Sequence, residues 1–164
     1  MSRKSVNQSG EPELDLNEHL PYLMNRAGSL VIQLFSRELA QHDLTVPMWR
    51  VLAVLNQHGE QRLIDLAAMT SVEVSTLSRI VSGMHKRKLV DRRVGETSRR
   101  EVVISMLPAG KKLLDWAIPI AAEYESDIAA GVPDADMEIT KRTLRTALEK
   151  LVMRAGRSAA KVHE

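Results

Sequence analysis

The sequence predicts a mainly α-helical fold with one small β-hairpin. Three observations lead to this class. Apolar residues recur at helical spacing in six separate segments of the 164-residue chain. Between the fourth and fifth of these segments, two short runs that contain Val and Ile flank a polar turn. Aromatic residues make up only 3% of the chain, so we expect a core of Leu, Val, Ile, Met and Ala.

The first two predicted helices lie on either side of a polar loop. The first is expected from about residue 20 to Gln41, and Pro21 suits its first turn. The second is expected to begin after Thr45 as the N-cap, with Pro47 in its first turn. Gly59 is expected to end it, because glycine is the usual residue just past a helix C-terminus.

Two shorter helices follow, with a tight polar break between them. The first is expected from about Leu63 to Met69 and the second from about Glu73 to Arg87. The second is expected to bury one stripe at i, i+3, i+4 and i+7, which consists of Leu77, Ile80, Val81 and Met84. Two short helices joined by a tight turn predict a helix-turn-helix.

A hairpin and two long helices complete the predicted fold. The hairpin is expected from Leu89–Val94 and Val102–Met106 around a polar turn, and a hairpin in this place is a wing. A long helix is expected from Leu107-Pro108 to about residue 130, with a kink at Pro119. The last helix is expected from about residue 134 to residue 154.

Composition and motifs exclude several classes of protein. No apolar run approaches the roughly 20 residues that span a bilayer, and the polar N-terminus does not resemble a signal peptide, so we expect a cytoplasmic protein without membrane contact. The chain has no cysteine, and no two of its five histidines have the spacing of a helical metal site. We find no phosphate loop or nucleophile motif, and therefore expect no catalytic residues, metal or cofactor and no enzymatic activity.

Positive charge is concentrated between residues 79 and 100. This stretch contains eight cationic and two acidic residues, a net charge of +6 in a chain whose net charge is only +2. A concentrated basic surface is typical of a protein that binds a polyphosphate. The alternative is a solvated basic face. The order of helix, strand, Arg-rich turn and strand favours double-stranded DNA.

The candidate DNA contacts lie on the outer face of the fourth helix and in the hairpin. They are Ser75, Thr76, Ser78, Arg79, Ser82, Lys86, Arg93, Arg99 and Arg100. Arg79 can reach a guanine edge or a phosphate, and its alternative partner is Glu73 or Asp91. Of Arg92 and Arg93, we expect one to face solvent or DNA and the other a structural acid.

With these motifs in place, the chain resembles the MarR family of winged-helix regulators. The resemblance covers roughly residues 14–154 and is carried by Leu44–Leu52 (LTVPMWRVL), Leu66-Ala67, Ser75–Val81 (STLSRIV), Leu89–Arg93 (LVDRR), Arg99-Arg100 and Ala109-Gly110. It implies a homodimer built from the first and last two helices, and a pseudo-palindromic DNA site. It also implies, for many members, a small aromatic or phenolic acid that releases the DNA. For Arg99 and Arg100 we expect insertion into a minor groove or a clamp on phosphates, and the alternative is that they are exposed loop arginines.

The resemblance divides the chain into a DNA-binding and a dimerisation part. Residues 45–107 are expected to form the winged helix-turn-helix domain, and residues 14–44 and 108–155 the helical dimerisation region. Residues 1–13 are expected to be a disordered tail and residues 156–164 a flexible one.

Four positions depart from the family pattern. Ser98 stands where an Asp commonly pairs with the wing arginines, and Ser71 where Gly is common in the turn. Lys88 stands where Gly usually ends the recognition helix; because Lys tolerates a left-handed backbone poorly, a different helix end is expected. Gly83 lies inside that helix, where close approach to DNA or to another helix would explain it.

The candidate effector-binding residues are His19, Tyr22, Arg26 and Trp49. Tyr22 and Arg26 are four residues apart, so one helix face presents a phenol and a guanidinium that can hold an aromatic carboxylate. The alternative for this face is a polar dimer rim. Trp49 fits an effector pocket or core packing equally, and Trp116 is expected in the core.

The function that follows is a homodimeric, sequence-specific transcriptional regulator. We expect a repressor that a small aromatic acid, phenolic or hydroxycinnamate-like, or its thioester, releases from DNA. The alternative is an architectural or protein-binding winged-helix module without an effector. Salt-dependent but sequence-insensitive DNA binding would favour that alternative.

Overall fold

Along the residues that the structure describes, six helices and three short strands follow one another, and the wing lies between the fourth and fifth helices. The computed structural model describes residues 14–95 and 101–161, with side chains up to residue 156. The elements are α1 (Leu20–Ala40), α2 (Val46–His58), β1 (Gln61–Arg62), α3 (Leu63–Thr70), α4 (Val74–Lys86), β2 (Val90–Val94), β3 (Val102–Met106), α5 (Pro108–Ala129) and α6 (Asp134–Lys161). The predicted fold class, mainly α with a small β-wing, is confirmed.

The start and end of α2 are those that the sequence predicts. The side chain of Thr45 accepts a hydrogen bond from the backbone N–H of Met48 at 3.4 Å, and Pro47 occupies the first turn. Gly59 follows the helix with φ of 72°, a conformation that costs glycine little. An N-cap of this kind stabilises a helix by about 1 kcal/mol.

Three helices end in the same motif, each with a left-handed residue that is not glycine. Asp43, Ser71 and Lys88 have φ of 51°, 55° and 56° after α1, α3 and α4. At the end of α4, the N–H of Lys88 donates to the carbonyl of His85 at 2.9 Å, and the N–H of Leu89 to that of Met84 at 3.0 Å. These two bonds define the Schellman motif. The expectation that Lys88 would prevent a left-handed end was therefore wrong.

An additional strand, β1, was not predicted. It pairs antiparallel with β3 (Gln61 opposite Ile104), and β3 pairs antiparallel with β2 (Val90 opposite Met106), so the sheet order is β1-β3-β2. With only two residues, β1 is too short to show an alternating pattern in the sequence. It fixes the base of the wing to the start of α3.

Contact density divides the chain into two compact units, Met1–Tyr124 and Glu125–Glu164. The first unit contains the buried core, to which α4 contributes Leu77, Val81 and Met84, while the predicted core residue Ile80 is only half-buried. The end of α1 and the first turns of α5 share this core through Phe35, Leu39, Leu114 and Ala117. Parts of the predicted dimerisation region therefore pack with the winged helix-turn-helix.

Gly110 lets α5 pass close to the chain before β2. A Cβ atom at Gly110 would lie 2.2 Å from the backbone oxygen of Leu89. The same oxygen accepts a hydrogen bond from the N–H of Leu107 at 3.0 Å. This contact holds the start of α5 against the segment that joins α4 to β2.

The second unit consists of the end of α5 and all of α6. The ammonium of Lys141 and a carboxylate oxygen of Glu125 lie 2.7 Å apart in an exposed ion pair. No α6 residue up to Gly156 is buried, and the large exposed apolar side chains on it are Ile139, Leu144, Leu148, Leu151, Val152 and Met153. The helix continues to Lys161, into the segment 156–164 that we expected to be a flexible tail.

Within residues 14–95 and 101–161, no helix combines the length and hydropathy needed to cross a membrane.

Candidate nucleic-acid interface

The outer face of α4 carries the polar side chains that the sequence singled out. Ser75, Thr76, Arg79 and Lys86 are exposed, while Ser78 and Ser82 are half-buried. The opposite face of the same helix holds the core stripe of the first unit. This division leaves one row of hydroxyl and cationic groups facing solvent.

Glu73 caps the start of α4. One of its carboxylate oxygens accepts a hydrogen bond from the N–H of Thr76 at 3.0 Å and a second from the hydroxyl of Ser75. The bond from the Ser75 hydroxyl, followed by those from the backbone N–H groups of Ser75 and Thr76, lowers the pKa of Glu73 to about 2. Glu73 is therefore an anion that fixes the first turn of the helix. The sequence analysis did not identify this cap.

Arg79 does not form the ion pair that was its alternative assignment. Glu73 is engaged at the helix start, and Asp91 accepts a hydrogen bond from the N–H of Arg92 at 2.8 Å and lies 3.8 Å from His85. Among the described residues, Arg79 has no hydrogen bond or ion pair. Its guanidinium is exposed and available to an anion outside the chain.

The two strand arginines have different surroundings, as expected. Arg93 donates to both carboxylate oxygens of Glu60 at 2.7 Å, whereas Arg92 is exposed. Neighbouring residues on a strand point to opposite faces. The sequence analysis chose Arg93 as the DNA contact, which stays a prediction; in the structure Arg93 pairs with Glu60, and Arg92 is the more exposed of the two.

Ion pairs hold the base of the wing. Arg62 pairs with Asp65 and, at 3.3 Å, with Glu101. These carboxylates, Asp65 first, raise the pKa of the Arg62 guanidinium. Pairing of the two strands continues to the bond from the N–H of Gly95 to the carbonyl of Glu101 at 2.8 Å. The predicted wing contacts Arg99 and Arg100, and Ser98, lie outside the described residues.

Gly83 has open space around it. A Cβ atom placed there would meet no described heavy atom within 4 Å, leaving aside the backbone of α4 itself. Of the two explanations that the sequence suggested, close approach to another helix is therefore not found in this part of the chain.

The candidate effector residues are not gathered in one place. Arg26 donates to the hydroxyl of Tyr22 at 3.4 Å on an exposed face of α1, and His19 precedes that helix. Trp49 packs edge to face on Phe35 with ring centroids 5.0 Å apart. Phe35 follows Arg26 by nine residues, or about 13 Å along α1. Within a single chain, the Tyr22–Arg26 face is therefore separated from Trp49.

Trp49 has one unsatisfied polar atom. Its indole Nε1 is buried and has no hydrogen-bond acceptor among the described residues. A buried donor without an acceptor costs about 1–3 kcal/mol. The packing of Trp49 on Phe35 agrees with the core assignment, and its free indole N–H would suit the alternative assignment to a ligand pocket.

No group of three or more His, Asp or Glu side chains in the described parts of the chain is arranged to hold a metal ion.

Comparison with known proteins identifies related regulators. The model of the MarR family matches residues 44–102. The transcriptional repressor NicR of Pseudomonas putida is 27% identical over 134 residues, which cover 80% of this chain and 84% of NicR. The repressor IacR of Pseudomonas putida is 25% identical, with 79% and 78% covered.

Solved structures share the fold. A MarR-family regulator from Silicibacter pomeroyi superposes with a TM-score of 0.78 at 27% identity, covering 84% of this chain and 95% of that one. The Mycobacterium tuberculosis regulator MosR in complex with DNA gives 0.65 at 26% identity, with 81% and 98% covered. Bordetella bronchiseptica BpsR, solved to explain how 6-hydroxynicotinic acid regulates its DNA binding, gives 0.71 at 23%, with 78% and 97% covered.

Proposed function

Because the chain belongs to the MarR family of DNA-binding transcriptional regulators, we propose that it is a homodimeric repressor released from DNA by a small aromatic acid or its thioester. The operator in this proposal is pseudo-palindromic, because two recognition helices related by a two-fold axis read half-sites about 10 bp apart. The observation that carries the proposal is the exposed face of α4. There Arg79 has no acid partner among the described residues.

In this proposal α4 enters the major groove. Arg79 reads a base edge or holds a phosphate, while Thr76, Ser78, Ser82 and Lys86 position the helix. Ser75 contributes through Glu73, which accepts a hydrogen bond from its hydroxyl. Arg92 joins the wing arginines Arg99 and Arg100 on the backbone or in the minor groove. For Arg93 to contact DNA as well, its guanidinium has to share or give up its ion pair with Glu60.

Binding to selected DNA tests this part of the proposal. Operator sequences selected from random duplexes are used to compare Arg79→Ala with Arg37→Ala, which removes an exposed cation from α1. We expect Arg79→Ala to relax preference at one base pair, worth about 1–3 kcal/mol, or to weaken binding and flatten the salt dependence. Unchanged binding in a folded Arg79→Ala protein contradicts the assignment. Binding without sequence preference favours the architectural alternative.

Exposed apolar side chains support the dimer. α1 exposes Leu20, Leu23, Met24, Leu30, Ile32 and Leu34, and α6 carries its own exposed apolar side chains. Soluble monomers rarely expose apolar surface on this scale. Covering it with a second copy gives a self-complementary, two-fold interface.

The effector part of the proposal requires both protomers. Tyr22 and Arg26 supply a phenol and a guanidinium, and Trp49 supplies a flat wall with a free indole N–H. Since one protomer keeps these groups apart, we propose that the α1 face of one chain, with His19, lies beside Trp49 of its partner. NicR and IacR are transcriptional repressors, and 6-hydroxynicotinic acid regulates DNA binding by BpsR; both facts support a ligand-responsive repressor as the proposal for this chain.

Complementation between two variants tests this arrangement. Arg26→Ala and Trp49→Ala homodimers should each bind hydroxylated benzoates, cinnamates and their thioesters at least about tenfold more weakly, because each lacks one side of both pockets. A mixed dimer of the two variants contains one complete pocket and one empty of both groups. Calorimetry on the mixed dimer should therefore give wild-type affinity, with one ligand bound per dimer instead of two. If no mixture recovers binding, the pocket does not span the two chains.

A further inference from the structure

The C-terminal end of α4 is tied to the turn after α1 by one side chain. Arg87 is the C-cap residue of α4, and its guanidinium donates to the backbone carbonyls of His42, at 3.3 Å, and of Asp43. These carbonyls lie 45 and 44 residues before Arg87 in the sequence. The Nη1 atom of Arg87 also lies 4.0 Å from the sulfur of Met48, in the first turn of α2. Arg87 therefore links the end of α1, the start of α2 and the end of α4.

The turn after α1 offers these two carbonyls in a fixed arrangement. Asp43 has a left-handed backbone, and the N–H of Leu44 donates to the carbonyl of Leu39 at 3.1 Å. Leu39 and Leu44 are both buried. The imidazole of His42 packs against the indole of Trp116 in α5, with ring centroids 4.0 Å apart. The turn is thus held by its own bonds, by the core and by α5.

The link made by Arg87 restricts direction as well as distance. A guanidinium is planar and holds its N–H donors in a rigid fork, so bridging two carbonyls limits rotation of the helix end that carries it. Hydrogen bonds from a charged donor are roughly twice as strong as neutral ones. The backbone at this end is itself fixed, because the Schellman motif after α4 places Leu89 in the core. The bonds of Arg87 therefore define an angle between α4 and α1.

The proposed dimer makes this angle matter for DNA binding. A rotation of about 10° at one end of the 13-residue α4 moves the other end by roughly 3.4 Å, the rise of one base pair. We infer that Arg87 is a positioning residue that sets which half-site separation the protein accepts. It acts through the orientation of α4 and not through contact with DNA. The inference rests on the proposed homodimer that reads two half-sites.

Operators with altered half-site separation test this inference. The selected operator is compared with versions that have one base pair added or removed between the half-sites. Arg87→Ala should reduce the wild-type preference for the selected separation about three- to tenfold, the range expected for lost hydrogen bonds. Arg87→Lys keeps the charge but lacks the planar fork, so it should behave like Arg87→Ala. Lys88→Gln removes the adjacent exposed cation and should leave the preference unchanged.

A distance measurement without DNA provides the second readout. The chain has no cysteine, so Gln33→Cys on α1 and Thr76→Cys at the far end of α4 accept spin labels at these two exposed positions only. Dilution with unlabelled protein leaves one labelled chain per dimer, and the label distance then reports the arrangement of α1 and α4 within that chain. The distance distribution should be broader with Arg87→Ala than with the wild-type Arg87 or with Lys88→Gln.

The outcomes separate the inference from the proposed function. Equal weakening on all operators that Arg87→Lys restores would make Arg87 a phosphate contact and overturn the inference. A lower melting temperature with unchanged separation preference and label distances would also overturn it, because the role of Arg87 would then be structural only. If wild-type binding does not depend on half-site separation, the proposed reading of two half-sites fails, while a broadened distance in Arg87→Ala still supports its orienting role.

Discussion

At the scale of single residues, the α4 cap depends on an ionised carboxylate. The pKa of Glu73 is lowered from 4.5 to about 2, so the cap stabilises the folded chain fully above pH 4.5 and is lost as the pH falls through about 2. We expect Glu73→Gln to lower the melting temperature at pH 7. The difference from wild type should shrink between pH 4.5 and pH 2. A difference that does not change over this range would contradict an ionised cap.

Lys88 carries backbone strain that glycine would relieve. Its φ of 56° is uncommon for a residue with a Cβ atom, and its side chain is exposed. Lys88→Gly should therefore raise the free energy of unfolding by about 1 kcal/mol, measured by urea denaturation. The control is Lys86→Gly in the last turn of α4, which should lower it by up to about 1 kcal/mol because its backbone is helical. If Lys88→Gly lowers the free energy of unfolding more than Lys86→Gly does, the backbone at Lys88 is not strained.

At the scale of elements, close packing of α5 depends on the absence of a side chain at Gly110. Because a Cβ atom there would lie 2.2 Å from the backbone oxygen of Leu89, the neighbouring backbone would have to move. We expect Gly110→Ala to cost about 1–3 kcal/mol of stability. Gly156→Ala in α6 meets open space and should instead stabilise by up to about 1 kcal/mol. Thermal denaturation of both variants measures the contrast.

Local signals in the sequence predicted most helices and strands. They failed where contacts between distant residues determine the backbone conformation. Thr45, Pro47 and Gly59 mark the ends of α2 because caps act on adjacent backbone groups. β1 exists because β3 lies beside it, and two residues carry no pattern of their own. The left-handed Lys88 is imposed by the Schellman bonds and by Leu89, which is buried in the core.

The candidate sites show the same contrast between features that follow from local sequence and features that depend on distant residues. The polar face of α4 follows from helical spacing alone, whereas Glu60 as the partner of Arg93 lies 33 residues away and has no local signal. Trp116 was expected in the core, yet it is half-buried and lines a cavity. That cavity is built from three remote segments, so no single stretch of sequence indicates it.

At the scale of the whole molecule, the proposed dimer should be sensitive to one charge on α6. Leu148 is exposed in the single chain, so Leu148→Asp costs little there but places a carboxylate in the proposed interface. We expect sedimentation at micromolar concentration to give a dimer for wild type and an 18.3 kDa species or unfolded chain for Leu148→Asp. Lys150→Glu, a nearby charge change, tests whether any added acid has this effect. A folded wild-type monomer would contradict the dimer.

In the proposed homodimer, the exposed surface of α6 also affects how long a single chain survives before it pairs with a second copy. Of this long helix, no described side chain is buried within its own chain, so little tertiary packing protects it from transient fraying. A frayed helix is a substrate for proteases, and pairing competes with cleavage. Since pairing is second order in chain concentration and cleavage first order, dimer abundance should rise more steeply than the rate of synthesis.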